Sequence, residues 1–133
     1  MSDNEQSRTS EFKSKSGVDR IFAAFFYSMD GLRSAWKTEH AFRQELMLAV
    51  PATVIALLLP VPALQKLALI GVLILLLIVE LLNSAIEAAV DRVSLERHPL
   101  SKNAKDFGSA AVFLALLLAG ATWTIIVLSL FMG

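Results

Sequence analysis

The sequence predicts an all-α membrane protein with three transmembrane helices and an amphipathic helix on the membrane surface. Of its 133 residues, 56% are hydrophobic, and the mean hydropathy of +0.62 exceeds that of an ordinary soluble domain. Almost all charged residues crowd into residues 1–45 and 80–106, which leaves long apolar stretches elsewhere. The sequence has no cysteine, which excludes disulfides and thiolate sites. It also has no basic tract of the kind that binds nucleic acid.

The N-terminal region divides into a polar tail and a helix. Residues 1–17 are polar without periodicity and predict a disordered tail, whereas residues 18–133 predict a single domain. From Val18 to Trp36, large apolar residues recur at helical spacing, opposite a face of charged and polar residues. This pattern predicts a surface helix over residues 18–37. A core-facing helix of a soluble domain is less favoured, because almost no soluble remainder exists for it to pack against.

Three stretches predict membrane spans, at about 46–65, 67–90 and 107–131. The first stretch carries no charge over 20 positions, and about 20 apolar residues cross the hydrocarbon of a bilayer. Pro60 and Pro62 predict a short turn near the end of the first span. The alanines of the third span, at 111, 115 and 119, predict a small-residue face for close helix packing.

The distribution of Lys and Arg predicts the orientation of the chain. Seven of these residues precede position 46, one lies in the 60–66 turn, four lie between 92 and 105, and none follows. The positive-inside rule then places the N-terminus and the 92–105 connection in the cytoplasm and the C-terminus outside. Trp36 and Trp123 are expected to anchor at the membrane interfaces, where tryptophan is enriched.

The second span carries a polar face at its C-terminal end. Glu80, Asn83, Glu87 and Asp91 fall within about 80° of one another around a helix. A carboxylate in hydrocarbon costs at least ~2.5–3.5 kcal/mol, which favours a functional site over a structural polar seam between helices. We expect a chain this small to hide such groups only by oligomerising. Asp91 has an alternative role as the ion-pair partner of a nearby basic residue.

Nearly every polar group of the chain converges on the cytoplasmic ends of the spans. Glu39 and Glu87 are candidate Mg²⁺ ligands, because Mg²⁺ combines one or two carboxylates with substrate phosphates. Glu80 lies deeper, where it can accept a proton from a lipid hydroxyl. Lys and Arg at this boundary suit phosphate oxygens. These features fit phosphoryl transfer to an alcohol dissolved in the membrane, although no nucleotide-binding glycine motif is present. An intramembrane acid also fits a small proton-coupled transporter.

Several blocks of the sequence resemble a known family. They are Tyr27-Ser28 with Gly31-Leu32-Arg33; Ala35-Trp36; Glu39 with Ala41-Phe42-Arg43-Gln44-Glu45; Val79-Glu80 with Asn83-Ser84-Ala85-Ile86-Glu87-Ala88 and Val90-Asp91-Arg92; and Ala104-Lys105-Asp106 with Gly108-Ser109-Ala110-Ala111. From about Arg20 to the C-terminus, the chain resembles the small prokaryotic integral-membrane diacylglycerol kinases. The most specific block is the one that contains Glu80, Asn83, Glu87 and Asp91.

The resemblance implies a homotrimer in the bacterial inner membrane that transfers the γ-phosphate of MgATP to diacylglycerol, forming phosphatidic acid. It implies that Glu80 is the general base and that Asn83 orients groups around it. Glu39 and Glu87 are implied to bind the divalent ion. ATP contacts are implied at Arg20, Tyr27, Glu39, Glu87, Glu96, Arg97, His98, Lys105 and Asp106. Lipid contacts are implied at Arg33, Ser34, Ala35, Trp36, Ala41, Phe42, Arg43, Gln44, Glu45, Glu80 and Ser109.

Two alternatives remain open beside the diacylglycerol kinase interpretation. The family includes relatives that phosphorylate undecaprenol with the same acidic motif, so an undecaprenol kinase is one alternative. A small proton-coupled transporter or assembly subunit that uses Glu80 as a proton site is the other. The third span disfavours transport, because it has no ionisable residue beyond Asp106 to continue a proton path.

Overall fold

A computed structural model describes residues 16–133, and every regular element in that part of the chain is an α-helix, which confirms the all-α prediction. The helices are α1 (Gly17–Thr38), α2 (His40–Leu58), α3 (Ala63–Val93) and α4 (Pro99–Met132). The predicted disordered tail lies outside the described residues, except for Ser16 and Gly17 at the start of α1. The chain divides into two compact units, with the boundary after Lys37.

Helix α1 makes up the described part of the first unit. Its N-terminus is capped by Ser16, whose Oγ accepts a hydrogen bond from the backbone N–H of Asp19 at 3.3 Å and donates one to the Asp19 carboxylate at 3.0 Å. The first of these bonds satisfies one of the backbone N–H groups that a helix start leaves open, and the second joins the two side chains. Large apolar side chains of α1, including Phe22 and Phe26, are exposed. The placement of α1 on a membrane surface stays a prediction.

Helix α2 ends at Leu58, seven residues before the predicted span boundary at about 65. The physical reason is the pair Pro60 and Pro62, since proline lacks the backbone N–H that continues a helix. Lys66 then donates a hydrogen bond from Nζ to the carbonyl of Leu57 at 2.7 Å. This bond satisfies one of the carbonyl groups left open at the end of α2.

Each helix of the second unit runs antiparallel to the next helix along the chain. Ser84 bonds to Glu39 and Lys66 bonds to Leu57, so α3 runs against α2. Helix α4 runs against α3 in the same way, because position 123 bonds to 69 and position 105 bonds to 91. The end of α3 therefore lies beside the starts of α2 and α4. All three helices are long and apolar enough to cross a membrane.

One stripe from each helix forms the core of this unit. The stripes are Phe42, Ala49 and Ala56 on α2; Leu69, Leu73, Leu76 and Glu80 on α3; and Gly108, Ala115 and Ala119 on α4. Of the predicted small-residue face, Ala115 and Ala119 are buried, whereas Ala111 is exposed. At about 100° per residue, position 108 falls between 115 and 119 around the helix, and position 111 lies outside that arc. Gly108 therefore takes the place that the sequence predicted for Ala111.

Candidate functional site

Four glutamates converge where the end of α3 meets the start of α2. We call Glu39, Glu45, Glu80 and Glu87 the acidic cluster. Glu80 has only 6% of its surface exposed, and it is the one buried charged side chain among residues 16–133. Glu39, Glu45 and Glu87 all lie close enough to interact with it electrostatically.

The sequence analysis expected oligomerisation to bury the polar face at the end of the second span. Most polar groups of that face are half-buried or exposed, so their burial by other copies of the chain stays a prediction. Glu80, in contrast, is already buried within the second unit of a single chain, at the end of the stripe that contains Leu69, Leu73 and Leu76. The reason is that the 4–3–4 spacing of these positions keeps them on one helix face. Burying a carboxylate without an opposite charge is costly, so this placement points to a chemical role.

Three side-chain hydrogen bonds orient Glu39 and Glu87 of the acidic cluster. Ser84 donates from Oγ to Oε2 of Glu39 at 3.3 Å, which joins α3 to the start of α2. Asn83 donates from Nδ2 to Oε1 of Glu87 at 3.4 Å, one turn further along α3. Thr38 also donates to Glu39, from Oγ1 to Oε1 at 3.2 Å. Glu39 and Glu87 are thus held by neutral donors.

Two oxygen atoms of the site are buried without a hydrogen-bond partner in the described part of the chain. They are Oδ1 of Asn83 and Oε2 of Glu45. A buried acceptor without a donor costs about 1–3 kcal/mol, and folded proteins retain few of them. These oxygens therefore mark a place where a proton, a water molecule or a ligand is needed.

The donor set fits a hard divalent cation that brings other ligands with it. Carboxylate oxygens from Glu39 and Glu87 are of the type that Mg²⁺ prefers. Within residues 16–133, no three acidic or histidine side chains group closely enough to hold an ion by themselves. This agrees with Mg²⁺ chemistry, in which one or two protein carboxylates are completed by water and substrate phosphates.

A cavity of about 660 Å³ lies at the junction of α3 and α4. Five residues predicted to contact ATP line it: Glu96, Arg97, His98, Lys105 and Asp106. Asp91, Ser94, Ser101 and Lys102 also contribute to its wall. Both the volume and the mixture of polar and apolar lining are typical of small-molecule sites. The structure thus brings the C-terminal group of predicted ATP residues around one cavity.

The two lysines of the cavity wall are paired with acids. Lys105 donates from Nζ to Oδ1 of Asp91 at 2.8 Å, which links α4 to α3, and Lys102 pairs with Asp106 within α4. Lys105 also interacts electrostatically with Glu87, which connects the cavity to the acidic cluster. For Asp91, the structure supports the ion-pair interpretation.

His98 caps the N-terminus of α4. Its Nδ1 accepts a hydrogen bond from the backbone N–H of Leu100 at 3.1 Å. An imidazole nitrogen that accepts a bond carries no proton, so the proton of the neutral ring sits on Nε2. Since the ring also lines the cavity, Nε2–H is a donor for a ligand there.

The predicted lipid-contacting residues fall on all four helices, with Glu80 on α3. Those on α2 range from Phe42, which is buried in the core, to Ala41 and Gln44, which are exposed; Arg43 and Glu45 are half-buried. Ser109 is exposed on α4, next to the buried Gly108. The other predicted residues of the ATP and lipid sites lie on α1 in the first unit: Arg20, Tyr27, Arg33, Ser34, Ala35 and Trp36. Their part in the site stays a prediction.

The sequence did not assign two residues to the site that the structure places there. Ser84 lies within one of the matching blocks but received no role from the sequence, and it bonds to Glu39. Gly108 packs against Asn83. The available signal for Ser84 was its position one turn after Glu80, and the signal for Gly108 was a glycine inside a long apolar helix.

The fold and the site define a small helical membrane protein whose acidic cluster and adjoining cavity lie at one end of the helices. The chain belongs to the prokaryotic diacylglycerol kinase family, because the sequence model of that family matches residues 26–127. It is 55% identical to the diacylglycerol kinase of Pseudomonas aeruginosa over 119 residues, which are 90% of this chain and 97% of that protein. It is also 51% identical to the diacylglycerol kinase of Escherichia coli K12, over 86% of this chain and 94% of that protein. The Haemophilus influenzae diacylglycerol kinase is 42% identical over 80% of this chain and 91% of its own length.

Proposed function

We propose that this protein transfers the γ-phosphate of ATP to the hydroxyl group of diacylglycerol, producing phosphatidic acid and ADP. Family membership and the names of the relatives support a lipid kinase that acts on diacylglycerol. The observation that carries the proposal is the position of Glu80. It is a buried carboxylate at the junction of α2 and α3, in electrostatic contact with Glu39 and Glu87.

Glu80 is the general base in this proposal. Its carboxylate accepts the proton of the diacylglycerol hydroxyl while the hydroxyl oxygen forms a bond to the γ-phosphorus. The bond between that phosphorus and the β–γ bridging oxygen breaks, and ADP leaves with the bond electrons. Phosphoryl transfer of this kind depends mainly on positioning and charge stabilisation, which suits a site built from a few fixed polar groups.

Glu39 and Glu87 would hold a divalent cation such as Mg²⁺, which supplies neutralisation of charge on the phosphate oxygens. The chain's own contribution is to orient these two carboxylates. Ser84 holds Glu39, and Asn83 holds Glu87. The amide of Asn83 therefore controls the direction of the Glu87 carboxylate next to Glu80.

The cavity at the α3–α4 junction is the proposed nucleotide site. Lys105 and Arg97 provide cationic donors for phosphate oxygens, and His98 provides Nε2–H. Glu96 and Asp106 complete the implied contacts from this unit, and Arg20 and Tyr27 of α1 are proposed to add to them. The lipid is proposed to lie against residues 33–36, 41–45 and Ser109, so that its hydroxyl reaches Glu80.

We further propose that the protein forms a homotrimer in the bacterial inner membrane, with its N-terminus in the cytoplasm and its C-terminus outside. The many exposed apolar side chains of α2, α3 and α4 support burial in lipid or against other copies. Chemical crosslinking in native membranes is expected to give trimers, and products no larger than dimers would contradict this assembly.

A single introduced cysteine tests the orientation of the chain, because the natural sequence has none. The Gly133→Cys variant should react with an impermeant maleimide added outside the membrane. Reaction only from the inside would show that the C-terminus lies in the cytoplasm.

Label transfer from ATP tests the proposed reaction. Purified protein in mixed micelles with Mg²⁺ and γ-labelled ATP is expected to label diacylglycerol, and to label undecaprenol far less at equal mole fraction. Preferential labelling of undecaprenol would replace the proposed substrate with a polyprenol. No label in either lipid would contradict the lipid kinase itself.

A further inference from the structure

A glycine of α4 lies against the side chain of Asn83 where α3 and α4 meet. Gly108 is buried, and a Cβ atom built on it would overlap Oδ1 of Asn83 and lie 3.3 Å from its Cγ. Carbon atoms in good contact are about 3.5–4.0 Å apart. The amide of Asn83 therefore occupies the space that the side chain of any other residue at position 108 would need.

The amide is constrained at both of its ends. Its Nδ2 donates to Oε1 of Glu87 at 3.4 Å, and its Oδ1 is buried beside Gly108 without a hydrogen-bond partner among residues 16–133. The absence of a side chain at position 108 provides the room for it.

A methyl group at position 108 would move the amide rather than the helices. The Cα of Asn83 lies 3.8 Å from the added Cβ position, an ordinary van der Waals distance, so the two backbones have no need to separate. Rotation about the Cβ–Cγ bond of Asn83 would leave Cγ too close. Cγ must therefore also shift by a few tenths of an ångström, and both movements displace Nδ2 from its position beside Glu87.

We propose that Gly108 is a positioning residue for phosphoryl transfer: the space at its α-carbon sets the orientation of the Asn83 amide, and the amide in turn orients Glu87. This inference rests on the proposed function for its kinetic consequence. Gly120 lies on an exposed part of the same helix, where an added Cβ would meet nothing within 4 Å, so it serves as a control for the loss of a glycine from α4.

The first test observes the amide directly, in the full-length protein in micelles. The sequence contains three asparagines, Asn4, Asn83 and Asn103, so ¹⁵N-asparagine labelling gives three side-chain NH₂ groups, and Asn83→Ala identifies the one at position 83. In Gly108→Ala, we expect the Asn83 side-chain resonance to shift while the other two stay in place. Gly120→Ala is the matched control and should leave all three unchanged. An unshifted Asn83 resonance in Gly108→Ala would overturn the inference.

The second test measures phosphate transfer to diacylglycerol by the same variants. We expect Gly108→Ala to lower kcat by about 10²-fold, the size of effect seen when a reacting group is displaced by about 1 Å. Its melting temperature and KM for diacylglycerol should stay close to those of the parent protein, and Gly120→Ala should keep its kcat. In the Asn83→Ala background, adding Gly108→Ala should produce no further loss, because the displaced group is already absent.

The outcomes separate this inference from the proposed function. A parent protein that labels no diacylglycerol contradicts the proposed function, and the Asn83 resonance then still decides whether Gly108 sets the amide. An active parent with an unaffected Gly108→Ala variant contradicts the positioning role alone. Unfolding of Gly108→Ala, or a further loss in the double variant, would show that Gly108 acts through helix packing and would also contradict it.

Discussion

Individual side chains in the site are arranged as donor and acceptor pairs that join neighbouring helices. Ser84 with Glu39 joins α3 to the start of α2, and Lys105 with Asp91 joins α4 to α3. Asn83 and Glu87 form a pair within α3. The bonds to Glu39 and Glu87 thereby hold side chains of like charge close to Glu80. At this scale, the site is an acidic cluster with a basic residue at its edge.

Lys105 is the cation at that edge, and its replacement tests the nucleotide site. The Lys105→Met variant keeps the length of the side chain but removes the charge-assisted hydrogen bonds that an ammonium group gives to phosphate. We expect its KM for MgATP to rise by about tenfold, since such bonds are roughly twice as strong as neutral ones. Initial rates at saturating diacylglycerol measure this change.

Lys66 provides the matched control, because it bonds to the Leu57 carbonyl at the opposite end of the helices. Lys66→Met should keep the parental KM for MgATP. If Lys105→Met also keeps the parental value, the cavity at the α3–α4 junction is not where the phosphates bind.

Among the helices, α3 has two roles at its two ends. Its C-terminal half carries Glu80, Asn83 and Glu87, whereas its N-terminal half contains Leu69, which is bonded to α4. There Trp123 donates from its indole Nε1 to the carbonyl of Leu69 at 3.1 Å. The position of Trp123 at a membrane interface stays a prediction; its indole N–H is bonded to the neighbouring helix. This contact holds α3 and α4 in register far from the cluster.

The Trp123→Phe variant tests that contact, since it keeps an aromatic ring and removes the indole donor. A net hydrogen bond contributes about 0.5–1.5 kcal/mol, so the free energy of unfolding should fall by roughly that amount. Reversible denaturation in micelles, followed by circular dichroism, measures the change. The KM for MgATP should be unaffected, because the contact is distant from the cavity. An unchanged free energy of unfolding would show that the register depends on apolar packing alone.

Across the whole molecule, charge and hydropathy patterns in the sequence were sufficient to predict three apolar helices and a polar end. The 3.6-residue period places Glu80, Asn83 and Glu87 on one face whatever their surroundings, so their grouping was predictable. The helix ends were less predictable: the uncharged stretch runs on to residue 65, and only the conformational limits of Pro60 explain why α2 ends at Leu58.

Contacts between helices could not be derived from periodicity. The period of apolar residues predicts which side chains of a helix point inward, but it does not predict which residues of the neighbouring helix they contact. The bonds of Ser84 to Glu39 and of Lys105 to Asp91, and the close approach of Gly108 to Asn83, depend on the depth at which antiparallel helices pair. The burial of Glu80 within one chain has the same origin.

Replacement of Glu80 by glutamine, followed by parallel measurements of turnover and nucleotide binding, tests the central claim most directly. Glutamine keeps the shape of the side chain but accepts a proton poorly, so it removes the general base while leaving the cavity intact. We expect phosphatidic acid formation from diacylglycerol and MgATP in mixed micelles to fall by about 10²–10⁴-fold, the usual contribution of a general base. Binding of MgATP should stay at the parental level. A Glu80→Gln variant that keeps near-parental turnover would contradict the assignment of Glu80 as the base.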